Sequence, residues 1–344
     1  AARLLRSDEE ISEPTEEVIK RLRTKFPEPR RAIEEAGQVD DDDRRFICSE
    51  EDFTQLLKKT FNGSAGGMTA LMGDHIKAVL HMEGVAGALL SLFTLLIDGE
   101  FPAWTHPYLC TQRLLALGVK CRPVCVGEWT MRTASKLAEA MVQPEESKEF
   151  FFTNGEGYKV LQFGTDIKGG LEAAVMLADT ILHEEGKGMV MVKKDGENAY
   201  NRTDRAEAIE ATSAAFPSTT RWMRWMYMAP SILRISEDEW VEGREGVYQG
   251  DALGGRMHDT ALQYALEEAA KQAVEENRER GAQGGNMLWV IAYRDDVYIV
   301  ADAEMAAVAN AKVDEVREQM TGVKESKDKT RAYCPALAHS DTTE

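Results

Sequence analysis

The sequence lacks a membrane-spanning run, a paired-cysteine framework and an excess of positive charge, and each absence excludes a class of protein. Its longest apolar stretch, VAGALLSLFTLLI (85–97), has 13 residues, short of the roughly 20 that cross a bilayer. It is expected to be a buried helix, and no membrane partner is expected. The opening AARLLRSDEEISEPTEE turns acidic after a short basic start and has no secretory pattern. The five cysteines (Cys48, Cys110, Cys121, Cys125, Cys334) are odd in number and form no CxxC…CxxC pair. That spacing excludes a disulfide framework or zinc site and suggests free thiols in a reducing, intracellular compartment, nucleus or cytoplasm. No internal repeat and no low-complexity segment occurs. The net charge of −18 and a pI near 4.9 argue on their face against binding a polyanion.

What is present is a 344-residue chain with 43% hydrophobic and 29% charged residues, enough for one large domain or two lobes. Helical patterns run over 14–26 and 49–61, with an acidic, exposed loop between them at 39–45. A Gly-rich loop enters a helix over 63–80, and 118–127 has the β-branched character of a strand or hairpin before a helix at 128–142. A loop then leads into a helix over 163–185, and the strand 188–194 delivers Asp195 at its end. After a helix at 202–216, a second Gly-rich loop, GVYQGDALGG (246–255), opens a long helix. Strands 287–293 and 297–302 then form a hairpin with RDD at its tip, and a last helix spans 303–320. This order predicts an α+β layer, an antiparallel sheet covered by helices on one face.

The tip poses a chemical question, because Asp295 and Asp296 are like charges flanked by apolar strands. If the strand ending at Asp195 lies beside the hairpin, three carboxylates converge, and each raises the others' pKa unless a cation neutralises them. Mg²⁺ (or Mn²⁺) suits such a site, since it takes carboxylate oxygens while keeping waters and phosphate oxygens. Two ions about 4 Å apart can activate a 3′-hydroxyl and steady a leaving pyrophosphate.

Seven stretches in order now carry a resemblance. YRDD (293–296) is similar to the YxDD box of reverse transcriptases, DGENAYN (195–201) to their DxxNAFN box, and GVYQGDALGG to QGDPLGP. KTRAY (329–333) is similar to the downstream lysine motif. Upstream, GSAGG…GDHIKAVL, CRPVCVGEWTMRTASK and FGTDIKGGLEAAV follow in the family's order. Together they resemble the reverse transcriptase domain of a non-long-terminal-repeat (LINE-type) retrotransposon over about residues 60–335.

The resemblance implies a right-hand polymerase fold with a helical extension at 1–60, fingers at 61–185 and a palm at 186–344. A thumb is expected to be absent, it and any endonuclease lying elsewhere in a longer polyprotein. The implied activity is RNA-directed DNA polymerisation from an RNA template with a DNA primer and deoxynucleoside triphosphates. Asp195, Asp295 and Asp296 match the catalytic aspartates, Asp195 and Asp295 being the principal metal ligands. Tyr200 matches the aromatic gate that rejects a 2′-hydroxyl. Arg122 matches the arginine that holds the triphosphate, as a bidentate guanidinium does, and Lys120, two residues earlier, is expected on the same strand face. Gln249 and Gly250 match the loop near the nascent base pair, where glycine permits close approach. Lys329 matches the candidate proton donor to pyrophosphate, with Lys327 as rival.

Two departures stand out. Ala252 and Gly255 replace the two prolines of QGDPLGP, which should loosen the loop, and Arg294 fills the variable position of YxDD, a long cation beside the metal site. The alternative of a different class is a degenerate, non-catalytic module that binds nucleic acid or a protein partner. A palm-like RNA-dependent RNA polymerase or nucleotide cyclase is a third reading, against which Tyr200 and QGD both count.

Overall fold

The computed structural model describes residues 10–33, 45–59, 65–184, 188–281 and 287–335. The acidic loop expected at 39–45 lies outside the described residues except for Arg45, as do Gly63 and Ser64 of the first Gly-rich loop. In chain order the elements begin with α1 (Glu16–Arg23), α2 (Glu50–Lys59), α3 (Gly73–Val79), α4 (Val85–Ile97) and α5 (His106–Leu109). Next come β1 (Gln112–Leu117), β2 (Arg122–Val126), α6 (Trp129–Glu139), α7 (Pro144–Phe151), β3 (Phe152–Gly155), β4 (Tyr158–Gln162) and α8 (Gly170–Glu184). There follow β5 (Met189–Asp195), α9 (Ala199–Arg202), α10 (Arg205–Ala215), α11 (Thr220–Tyr227), β6 (Ser231–Arg234) and β7 (Trp240–Gly243). The chain continues through α12 (Ala252–Glu279), β8 (Leu288–Tyr293), β9 (Asp296–Asp302), α13 (Ala303–Thr321) and β10 (Arg331–Tyr333). Among the described residues no helix is long and apolar enough to cross a membrane.

The elements group into two units, Ala1–Val142 with Tyr200–Met257, and Gln143–Ala199 with His258–Glu344. This grouping cuts across the division at 60 and 185. Within residues 143–185, β4 pairs in parallel with β8 and so belongs to the sheet that carries Asp195.

The first unit holds a four-stranded sheet in the order β2-β1-β6-β7. Its helical part rests on aromatic packing: Phe93 lies 5.8 Å from both Phe53 and Trp129, all three being fully buried. The helix at 85–97 forms as expected, but only Phe93, Leu96 and Ile97 are buried, and Leu95 is exposed. Its apolar residues run all round the helix, and the stripe toward α2, α6 and α11 is the part used.

The second unit holds a six-stranded sheet in the order β10-β5-β9-β8-β4-β3. Two features correct the expectation of an antiparallel sheet with helices on one face. The β4–β8 pair is parallel, and both faces are covered. On one face Val290 and Ile299 join Leu262, Leu266, Val313 and Val316 of α12 and α13. On the other, Ile291 and Val300 pack on Ala174, Ala178 and Ile181 of α8. Neighbouring strand residues point to opposite faces, so burying both faces requires apolar residues at consecutive positions, as in VIA and IVA. Truncating one of these side chains to alanine would cost about 2–5 kcal/mol. At the end of β9, Asp302 accepts a hydrogen bond from the Met305 N–H (3.0 Å) and starts α13, which ends at Gly322 with φ 75°.

Candidate active site

The antiparallel register of β5 with β9 runs from Met189 opposite Asp302 to Asp195 opposite Asp296. On the other side β8 pairs with β9 as far as Tyr293 opposite Asp296. The hairpin therefore turns in two residues, Arg294 and Asp295, and all three aspartates stand at one end of the central strands. Burial raises the Asp295 carboxyl above its ordinary range, and Asp195 and Asp296 raise it further, against its own N–H and Lys329.

Two lysines answer this accumulation of charge. Lys329 Nζ lies 2.8 Å from Asp195 Oδ2, and Lys193 Nζ lies 3.0 Å from Asp296 Oδ1. Burial works against the charge on Lys193, but the bond to Asp296 prevails and raises its pKa. The same amine sits over the Tyr298 ring, 5.5 Å from its centroid. The segment carrying Lys329 is tied to β5 by backbone bonds. The Ser326 N–H donates to the Asp195 carbonyl (2.9 Å), and the Glu197 N–H donates to that of Lys324 (2.8 Å).

Behind β5, on the face toward α13, lies an ionic cluster that sequence reasoning missed. The buried Lys194 donates to Asn310 Oδ1 (2.8 Å) and Asp314 Oδ2 (2.7 Å), and its amine is 3.6 Å from Glu325 Oε1. Glu325 also takes hydrogen bonds from Arg317 and Thr330. Burial pushes Asp314 up, whereas Thr330, Arg317 and Lys194 overcome burial and hold Glu325 below its ordinary range. The available signal was Lys194 itself, a charged residue at an inward position of a strand that is otherwise apolar on that face.

Beside the tip, the Arg294 guanidinium Nη1 donates to Asp259 Oδ2 (2.6 Å) and Thr165 Oγ1 (3.0 Å), and Asp259 is a fully buried carboxylate on α12.

Lys120, Arg122, Tyr200, Gln249 and Gly250 belong to the first unit. Lys120 is exposed in the β1–β2 turn, where Cys121 has φ 49°, so the strand alternation expected to align it with Arg122 does not operate there. Arg122 is exposed at the start of β2, opposite Leu117. Tyr200 is half-buried in α9, and its carbonyl accepts the Val247 N–H (2.7 Å). The Gln249 carbonyl accepts the Cys125 N–H (2.9 Å), and Gly250 has φ 120° with a Cβ position only 2.3 Å from the Cys125 carbonyl oxygen. Glycine is required there. Asp251 Oδ2 accepts bonds from the Tyr227 hydroxyl (2.6 Å) and the Gly254 N–H (3.2 Å), which starts α12 without the two prolines.

As metal donors, Asp195 and Asp295 fit a hard divalent cation in kind, and Asp195 Oδ1 is buried without a hydrogen-bond partner. Asp195 and Asp296 are each bound by a lysine, Lys329 and Lys193 respectively. Among the described residues no group of three His, Cys, Asp or Glu side chains is arranged to hold a metal ion. No protein-family model matches the chain, and no curated protein matches it.

Proposed function

We propose that the chain is the fingers and palm of an RNA-directed DNA polymerase, transferring deoxynucleotides to a primer 3′-hydroxyl. The observation that carries the reading is the pairing of Asp195 with Asp296 at the end of adjacent strands, with Asp295 at the turn and Lys329 on Asp195. Asp195 and Asp295 would hold Mg²⁺ or Mn²⁺, which supplies charge neutralisation at the reacting phosphates. Asp296, neutralised by Lys193, shapes the field around that pair. Lys329 stands beside Asp195, where it can serve a departing pyrophosphate oxygen. The roles of Arg122 and Lys120 toward the triphosphate, Tyr200 toward the sugar, and Gln249 and Gly250 toward the base pair rest on the resemblance. The test is primer extension on an RNA template with all four deoxynucleotides and Mg²⁺. Extension that disappears in Asp195→Asn and Asp295→Asn supports the reading. Absence of extension with every template and ion overturns it.

The non-catalytic alternative is favoured by one observation, that lysines already engage two of the three carboxylates. It requires nucleic-acid or protein binding that Asp195→Asn and Asp295→Asn leave unchanged.

A further inference from the structure

The turn that presents the aspartates is strained and held from outside. Arg294 is the first central residue of the two-residue turn, with φ 59°, a place that favours glycine in such hairpins. A larger residue persists there only where its surroundings over-determine it. Gln162, fully buried on β4, fixes the backbone: its Oε1 accepts the N–H groups of Arg294 (3.0 Å) and Gly164 (2.9 Å), and its Nε2 donates to the Arg294 carbonyl (3.4 Å). Gly164 makes the approach possible, since a Cβ there would stand 2.6 Å from the Arg294 nitrogen. The side chain is fixed separately. Asp259 on α12 is fully buried, and its Oδ2 takes both the Arg294 guanidinium (2.6 Å) and the Thr165 hydroxyl (2.5 Å). Its Oδ1 has no partner among the described residues. Arg294 therefore neutralises a buried charge, and a charge-assisted bond of this kind is stronger and more directional than a neutral one.

We propose that Asp259 is a positioning residue for the catalytic tip, acting through Arg294 to set where Asp295 and Asp296 stand. The proposal rests on reading that tip as the catalytic edge. It assigns a use to the arginine in YRDD: the side chain anchors the turn to the long helix. Displacement of a reacting group by about 1 Å can lower a rate on the order of 100-fold, so a loosened anchor is expected to act on kcat, with KM for deoxynucleotide little changed.

The experiment compares the full chain with Arg294→Ala, Gly164→Ala and the neutral pair Asp259→Asn/Arg294→Gln, which avoids an uncompensated buried charge and keeps a folded variant available. Two readouts are taken: amide hydrogen exchange over residues 290–297, and single-nucleotide extension resolved into kcat and KM. Expected are exchange at the tip at least about tenfold faster than in the parent, with β5 and α13 unchanged, and kcat lowered about 10–100-fold at constant KM. Tip exchange equal to the parent in both Arg294→Ala and the neutral pair overturns the proposal, as does a loosened tip with unchanged kcat. If the parent chain extends no primer while the variants still loosen the tip, the polymerase reading fails and the anchoring by Asp259 stands.

Discussion

Asp195 and Asp296 face each other directly across β5 and β9, and each has its own lysine, Lys329 at 2.8 Å and Lys193 at 3.0 Å. Like charges directly opposite on adjacent strands destabilise a sheet. The lysines offset that cost without removing the acids, and on the proposed reading they leave the carboxylates available to a stronger cation.

Lys193→Met tests this account. With one counter-charge gone, the chain in chelator should lose about 0.2–1 kcal/mol, the scale of an exposed pair. Added Mg²⁺ should recover more stability in the variant than in the parent, because it meets less competition. Urea midpoints at neutral pH with and without the ion give both numbers, and equal ion responses in the two proteins would contradict the account.

Glu325→Ala removes the acceptor shared by Lys194, Arg317 and Thr330. Two buried cations then keep only Asp314 as a carboxylate among these contacts, and breaking a buried ionic group of this kind costs about 3–5 kcal/mol. Hydrogen exchange should rise first at 324–333, the segment that brings Lys329 to Asp195. A variant that unfolds at the parent's urea midpoint would show that the cluster carries no net stability.

Much of this was legible in sequence, and the misses share a cause. Asp195 at a strand end, the hairpin of β8 and β9, and the helices α12 and α13 follow from apolar period and turn residues, and the structure places Asp195 beside the tip. β1, β3, β4, β6, β7 and β10 were not foreseen, because short strands joined by ordinary residues leave little periodic signal, and a parallel β4–β8 partner more than a hundred residues away leaves none. The second covered face was missed because consecutive apolar positions look alike whether one face is buried or two. The tie of Arg294 to Asp259 was invisible because nothing local in YRDD announces a partner on α12.

His258, next to Asp259 on α12, makes part of the stability depend on pH. Burial lowers its pKa from an ordinary 6.5 to about 4 against the pull of Asp259, and Arg294 and Arg317 also oppose its charge. The unfolded chain therefore binds a proton that the folded chain refuses between these values. Stability from this group is complete above the unfolded value and is lost as pH falls from about 6.5 toward about 4, by roughly 3 kcal/mol for a shift of this size. His258→Gln should flatten that part of a urea-midpoint profile, and an unchanged slope would show that other groups set it.

Tyr200→Ala tests the sugar gate implied by the DxxNAFN resemblance. Loss of the ring should raise incorporation of ribonucleotides relative to deoxynucleotides by about tenfold or more, with deoxynucleotide kcat changed less. Competition between the two triphosphates in one extension reaction measures the ratio directly. An unchanged ratio in an active variant would make Tyr200 a packing residue of α9.

Asp295→Asn separates a functional carboxylate from a structural one. Burial, with Asp195 and Asp296 nearby, raises the Asp295 pKa, so the folded chain holds a proton there at pH values where the unfolded chain has released it. The stability it contributes is complete below the ordinary carboxylate value and declines as pH rises through the raised one. At neutral pH the charged form is therefore a burden on the fold, and the amide, which never ionises, relieves it. The variant is expected to unfold at higher urea than the parent at pH 7, with the gain shrinking toward pH 3, while primer extension drops by at least about 100-fold. Greater stability together with lost activity is the signature of a group kept for chemistry at the expense of the fold. A variant that is less stable at pH 7 would mean that the carboxylate is held by contacts favouring its charge, and the metal-pair assignment of Asp195 and Asp295 would lose its electrostatic basis.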